Sequence, residues 1–141
     1  MLLREEALET LRTAGEACVG EVLESFASLR FDDLFAQDIT TTEPWRRLLI
    51  QNEPGSVRTT APILIVHGSS DPLIPVDFSY QLSNDLCALE DVVQLKVYEE
   101  RHHQGVVLAS LRDLSGWISD RFEGLAAPDD CEGAEVLPVW P

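Results

Sequence analysis

The chain has 141 residues, 45% of them hydrophobic and 25% charged, with a formal net charge of −15 from 25 acids against 10 bases. That is enough for one domain with a core of its own and too little for two. The acidity excludes nucleic acid and anionic membrane surfaces as partners held by charge, and no run of eighteen apolar residues offers a membrane-spanning helix.

In chain order, Met1 to Thr10 carries acids where a signal peptide needs an unbroken apolar core. The 141 residues therefore read as lacking an export signal, and as cytoplasmic if they are a true short product. Residues 2–30 are expected to be helical with a break. Leu3, Ala7, Leu11 and Ala14 share one face, Gly15 and Gly20 interrupt it, and Val22, Leu23, Phe26 and Leu29 renew it. Thr40 to Pro44 is a helix-start signal, with Thr42 able to cap, Glu43 suited to the positive helix end and Pro44 fitting the first turn. Trp45, Leu48 and Leu49 then form an apolar face, and Asn52-Glu53-Pro54-Gly55 ends the helix.

After a polar linker, Ile63-Leu64-Ile65-Val66 reads as a strand buried on both faces. His67 to Pro72 is all turn and loop chemistry. Phe78, Leu82, Leu86 and Leu89 predict an amphipathic helix over about 76–88. Residues 92–98 alternate and read as a second strand, with Val93, Leu95 and Val97 on one side. Glu99 to Gly105 is a loop. Val107, Leu111, Leu114, Ile118 and Phe122 predict the strongest helix of the chain. The tail from Gly124, with Pro128, Cys131, Pro138 and Pro141, is expected to be irregular. Residues 61–122 thus form a βαβα unit with two parallel strands and a right-handed crossover. Two strands alone make a poor sheet, so such a unit needs further strands beside it.

Asp71 follows the first strand, and His102 and His103 follow the second. In a parallel sheet both loops emerge at the same edge, where ligands and catalytic groups gather. A carboxylate there can fix the tautomer of an imidazole and steady its positive charge, which is the general-base half of a nucleophilic hydrolase. Taken singly, Asp71 can just as well close an Asp-Pro turn, and either histidine can be a surface loop residue. The paired placement after consecutive strands favours the functional reading. The three cysteines, Cys18, Cys87 and Cys131, have no zinc-site spacing. They are either buried thiols, or one disulfide plus a cysteine whose partner lies elsewhere. No metal or organic cofactor is expected.

The stretch Pro62 to Pro75, followed by Val97 to Val106, resembles the carboxyl-terminal part of an α/β-hydrolase, and more narrowly the secretory lipase family. Pro44-Trp45-Arg46, Asn52 to Gly55, Leu86-Cys87-Ala88 and Trp117-Ile118 through to Cys131 extend the similarity over nearly the whole chain. The resemblance implies an α/β fold: the carboxyl-terminal βαβα part of an α/β-hydrolase sheet, over 56–124, preceded by a cap- or lid-like helical region, 1–55, and followed by an irregular tail, 125–141. It implies a serine ester hydrolase, an acyl ester or lipid substrate, and secretion. Asp71 stands where that family has the acid of its Ser-Asp-His triad. In the family's loop pattern, Tyr-Pro-Gly-x-x-His-x-Gly-Val, the histidine falls on His103, while Glu99-Glu100 replaces Pro-Gly. His67, before Gly68, is read as structural. The family's disulfides imply Cys87 with Cys131 as a pair, leaving Cys18 for a partner in an amino-terminal half. The nucleophile is the departure. The Gly-x-Ser-x-Gly elbow is absent; Gly68-Ser69-Ser70 comes nearest, but Asp71-Pro72 follows. The chain therefore carries two triad members of three and is expected to be inactive alone. Its expected associations are a missing amino-terminal half, or itself through an exposed sheet edge. The alternatives are a non-catalytic remnant or small binding domain and, more weakly, another α/β-hydrolase such as a peptidase.

Overall fold

The structure, a computed structural model, describes residues 2–131. It divides into two compact units, one through Glu53 and the other from Pro54.

The first unit is helical: α1 (Ala7–Ala14), α2 (Val19–Phe26), α3 (Phe31–Leu34) and α4 (Trp45–Asn52). The break expected between the first two helices falls at Gly15 to Cys18, and α2 starts where the Glu21 carboxylate accepts the Cys18 N–H at 2.9 Å. Residues 2–4 are extended instead of helical, and Glu5-Glu6 turn into α1. Leu3 forms an antiparallel bridge with Phe35, the Arg4 N–H donates to Leu34 O and the Ala36 N–H to Leu2 O. Thr42 does not cap α4. The helix begins at Trp45 with Pro44 in the cap position and no side chain closing it.

The second unit runs β1 (Ile63–Gly68), α5 (Asp77–Ala88), β2 (Val93–Tyr98) and α6 (Gly105–Phe122). The two strands are parallel, with Ile63 opposite Val93 and Gly68 opposite Tyr98. This is a mixed, α/β arrangement in the expected order. Val93, the first residue of β2, is fully buried, and Val106 and Leu86 bring the helices onto the sheet. Three expectations about burial fail in this unit, the first at Phe78, which heads the predicted α5 stripe but is 63% exposed. Residues Ile63–Val66 are half-buried, because a two-stranded sheet has too few neighbours to cover both faces. In α6 the line on the sheet is Val106, Ser110, Asp113, Leu114 and Trp117, whereas Val107, Leu111, Ile118 and Phe122 of the expected stripe are exposed, Phe122 at 90%. The helix is apolar on two sides, and only one of them meets the sheet.

The outer edge of β2 is closed by the segment that follows α6. Asp130 N–H donates to Val93 O at 2.7 Å, Leu95 N–H to the Asp130 carboxylate at 2.9 Å, and Val93 N–H to the Asp129 carboxylate at 3.4 Å. A disulfide between Cys87 and Cys131 anchors this strap, while Cys18 is free and exposed. Carboxylates on a strand edge block pairing with another chain. The outer edge of β1 carries no such cover; Leu64 and Val66 turn their backbone groups to a side where no described strand pairs with them. The tail is irregular as far as Cys131, and its remainder, with Pro138 and Pro141, lies outside the described residues.

Candidate active site

Both strands end at the same edge, so the loops that follow them meet there. Their backbones cross at close range. A Cβ placed on Gly68 would lie 2.2 Å from the Arg101 carbonyl oxygen, so only glycine fits that crossing. Ser69 N–H donates to Tyr98 O at 2.9 Å and Ser70 N–H to Arg101 O at 3.0 Å. The loops are thereby laced to one another residue by residue.

Asp71 is delivered into the crossing. Its Oδ1 accepts the N–H groups of Leu73 at 2.9 Å and Ile74 at 3.1 Å, an Asx turn that fixes the carboxylate's direction. Its Oδ2 faces His103 Nδ1 at 2.8 Å. One side chain thus both closes the turn and reaches His103. The Asp71 side chain is only 3% exposed, whereas that of His103 is 45% exposed. Burial raises the carboxyl's pKa, but the hydrogen bonds from Ile74, His103 and Leu73, together with the charge of His103, outweigh it and bring it down to about 2. Asp71 is therefore ionised at neutral pH. A carboxylate only accepts, so Nδ1 of His103 carries a proton, and in the neutral ring Nε2 is left with its lone pair free. No described residue bonds Nε2. The arrangement can serve as a base, with its neutral tautomer set by Asp71 and its Nε2 without a described partner.

His102, the neighbouring candidate, does something else. Its Nδ1 accepts the Gly105 N–H at 3.2 Å at the start of α6, and it does not reach Asp71. The structure thus brings Asp71 together with His103 and not with His102.

His67, read from the sequence as structural, lies beneath the carboxylate as a brace, a contact that sequence reasoning did not give. His67 is buried, with Nε2 3.0 Å from Ile74 O and 3.5 Å from Asp71 Oδ2, and Nδ1 2.6 Å from the buried hydroxyl of Ser79. Both neighbours of Nε2 are acceptors, so this nitrogen carries the proton and Nδ1 accepts from Ser79. His67 therefore presents a donor toward Asp71 from the side opposite solvent. A histidine ending an apolar strand was the available signal. Ser79 gave none, since a serine in a helix reads as solvent-facing.

A cavity of about 660 Å³ lies at the other ends of the strands, beside Arg58, Pro62, Asp91 and Ala126, and neither Asp71 nor His103 lines it. Among the described residues no three His, Cys, Asp or Glu side chains converge as metal ligands.

Residues 2–130 match a family described as secretory lipase. A secreted triacylglycerol lipase of Malassezia globosa is 27% identical over 90 residues, covering 62% of this chain and 19% of that protein. The chain thus matches about a fifth of that relative's length. No solved structure matches it.

Proposed function

Because the chain belongs to the secretory lipase family, we propose that Asp71 and His103 are the acid and the histidine of a serine ester hydrolase whose serine is supplied by polypeptide outside these 141 residues. The observation that carries this reading is the contact of 2.8 Å between His103 Nδ1 and the buried Asp71 carboxylate, with Nε2 left unbonded. In the reaction, Nε2 takes the proton of the serine hydroxyl as its oxygen attacks the ester carbonyl. The resulting imidazolium, steadied by Asp71, gives that proton to the departing alcohol. Water then repeats the cycle on the acyl-enzyme. An oxyanion hole would come from backbone N–H groups near the serine, outside the chain described.

The substrate is read as an acyl ester, with triacylglycerol the class named for the Malassezia relative, and the protein as secreted. The fold is read as the end of an α/β-hydrolase sheet. The asymmetry of the edges supports this: β2 is closed by the Asp129–Asp130 strap, while no described strand pairs with the outer edge of β1, where the sheet can continue. The helical stretch 1–55 is read as cap- or lid-like.

The test is hydrolysis of p-nitrophenyl acyl esters and triacylglycerol emulsions by the gene product that carries this stretch. His103→Ala or Asp71→Asn should lower kcat/KM by about 10³- to 10⁴-fold. Activity untouched by His103→Ala refutes the assignment. A second reading, a non-catalytic binding domain, is favoured by the lack of a Gly-x-Ser-x-Gly elbow within the 141 residues. It predicts lipid binding without turnover in the same protein.

A further inference from the structure

The crossing of the two loops contains one side chain that belongs to neither the carboxylate nor its brace. The Ser69 hydroxyl accepts the Glu100 N–H at 2.9 Å and lies 3.1 Å from Glu99 Oε2. The Glu99 carboxylate can only accept, so the hydroxyl donates to it and turns a lone pair to Glu100. Glu100 sits at φ 57°, in the left-handed region where a residue with a Cβ is strained by about 1 kcal/mol. Glu100 begins the turn that carries the chain from the end of β2 to His103. It needs something to hold it, and the hydroxyl bonds the amide of this very residue.

From this geometry we infer that Ser69 is a positioning residue for the proposed active site: its hydroxyl pins the strained Glu100 turn to the Asp71 loop and so keeps His103 Nδ1 in line with the Asp71 carboxylate. Ser69 does not touch the reacting atoms. Its effect passes through Glu100 and Arg101, whose carbonyl also receives the Ser70 N–H. The inference rests on the Asp71–His103 reading above and names the residue that makes the pair possible in this sequence. A glycine at position 100 would take the left-handed conformation without cost. With that glycine in place, the hydroxyl becomes dispensable. This distinguishes Ser69 as a holder of the turn from Ser69 as an ordinary loop serine.

The experiment is imidazole 15N NMR of His103 in the purified gene product that carries this stretch, which needs no catalytic turnover. In the wild type the neutral ring should be held as the Nδ1–H tautomer by Asp71. Ser69→Ala should lower that share from nearly complete to about half or less, Ser69→Thr should retain it, and Ser69→Ala combined with Glu100→Gly should restore most of it. Amide exchange at Ile65 and Lys96, which lie in the ladder between the strands, should be the same throughout. A Ser69→Ala ring as fixed as the wild type overturns the inference, as does a double variant as loose as Ser69→Ala alone. Faster exchange at Ile65 and Lys96 in Ser69→Ala also overturns it, because the hydroxyl then acts on the strands and not on the pair. Asp71→Asn is the separate control. If the wild-type ring is not held as Nδ1–H, or Asp71→Asn leaves it unchanged, the pairing of Asp71 with His103 fails, whatever Ser69 does.

Discussion

Gly68→Ala is the sharpest probe of how the loops are joined. The added Cβ would lie 2.2 Å from Arg101 O and 2.7 Å from its carbonyl carbon. A carbon needs roughly 3.3 Å from a carbonyl oxygen, so the loops must part by about 1 Å. The obstruction is backbone, which cannot rotate away as a side chain would. The Ser70 to Arg101 hydrogen bond, now 3.0 Å, would stretch to about 4 Å, beyond bonding range. Overpacking costs about 1–3 kcal/mol and the lost bond about 1 kcal/mol, so a loss of about 2–4 kcal/mol is expected. Urea unfolding of the two proteins gives the difference, and His103 NMR on the same samples should show the ring released from Asp71. A Gly68→Ala protein within about 0.5 kcal/mol of wild type, with the ring still held, would mean that the loops do not cross as described.

Three further predictions follow from separate features. Glu100→Gly should raise stability by up to about 1 kcal/mol, since φ 57° costs glycine nothing; a destabilised variant in urea titration contradicts the strain argument. Cys131→Ser opens a loop of sequence separation 44, so chain entropy sets the loss at up to about 4 kcal/mol. It also frees the strap, and amide exchange at Val93 and Leu95 should accelerate more than at Ile65; equal protection before and after would show that the strap holds without its anchor. The Asp71 carboxyl, at about 2 against an ordinary 3.8, is depressed on folding, so its stabilisation is complete above about pH 4 and is lost as pH falls through 2. The stability gap between wild type and Asp71→Asn should therefore narrow across that window in urea titrations, and a gap independent of pH would contradict the environment assigned to Asp71.

The order of elements in the second unit was readable because strand and helix periods differ and turn residues separate them. The apolar run from Ile63, the alternation from Val93 and the stripe from Phe78 to Leu89 each signal one element, although Phe78 itself stays exposed. The orientation of α6 was not readable. Val107, Leu111 and Ile118 form as good a stripe as Val106, Ser110 and Trp117, and which stripe meets the sheet depends on the strands and not on the helix. Asp71 and the pair His102-His103 were legible because they follow strands that lie side by side, whereas the choice of His103 over His102 came from the resemblance to the family's loop pattern. The parts that hold them were not. The left-handed φ of Glu100 and the close approach at Gly68 are consequences of the crossing itself, and the burial of Ser79 depends on helix rotation. The strap on β2 is intermediate: an Asp-Asp-Cys segment whose cysteine pairs with Cys87 marks a tethered tail, but not the edge on which its carboxylates land.

The central claim is that His103, set by Asp71, activates a serine that lies outside these 141 residues. Labelling the protein, as its own organism makes it, with a fluorophosphonate and mapping the modified peptide tests this most directly. The account predicts a single labelled serine in a Gly-x-Ser-x-Gly setting outside the stretch, with labelling slowed at least about 10³-fold by His103→Ala. A label on Ser69, Ser70 or Ser110, or no label at all, would contradict it.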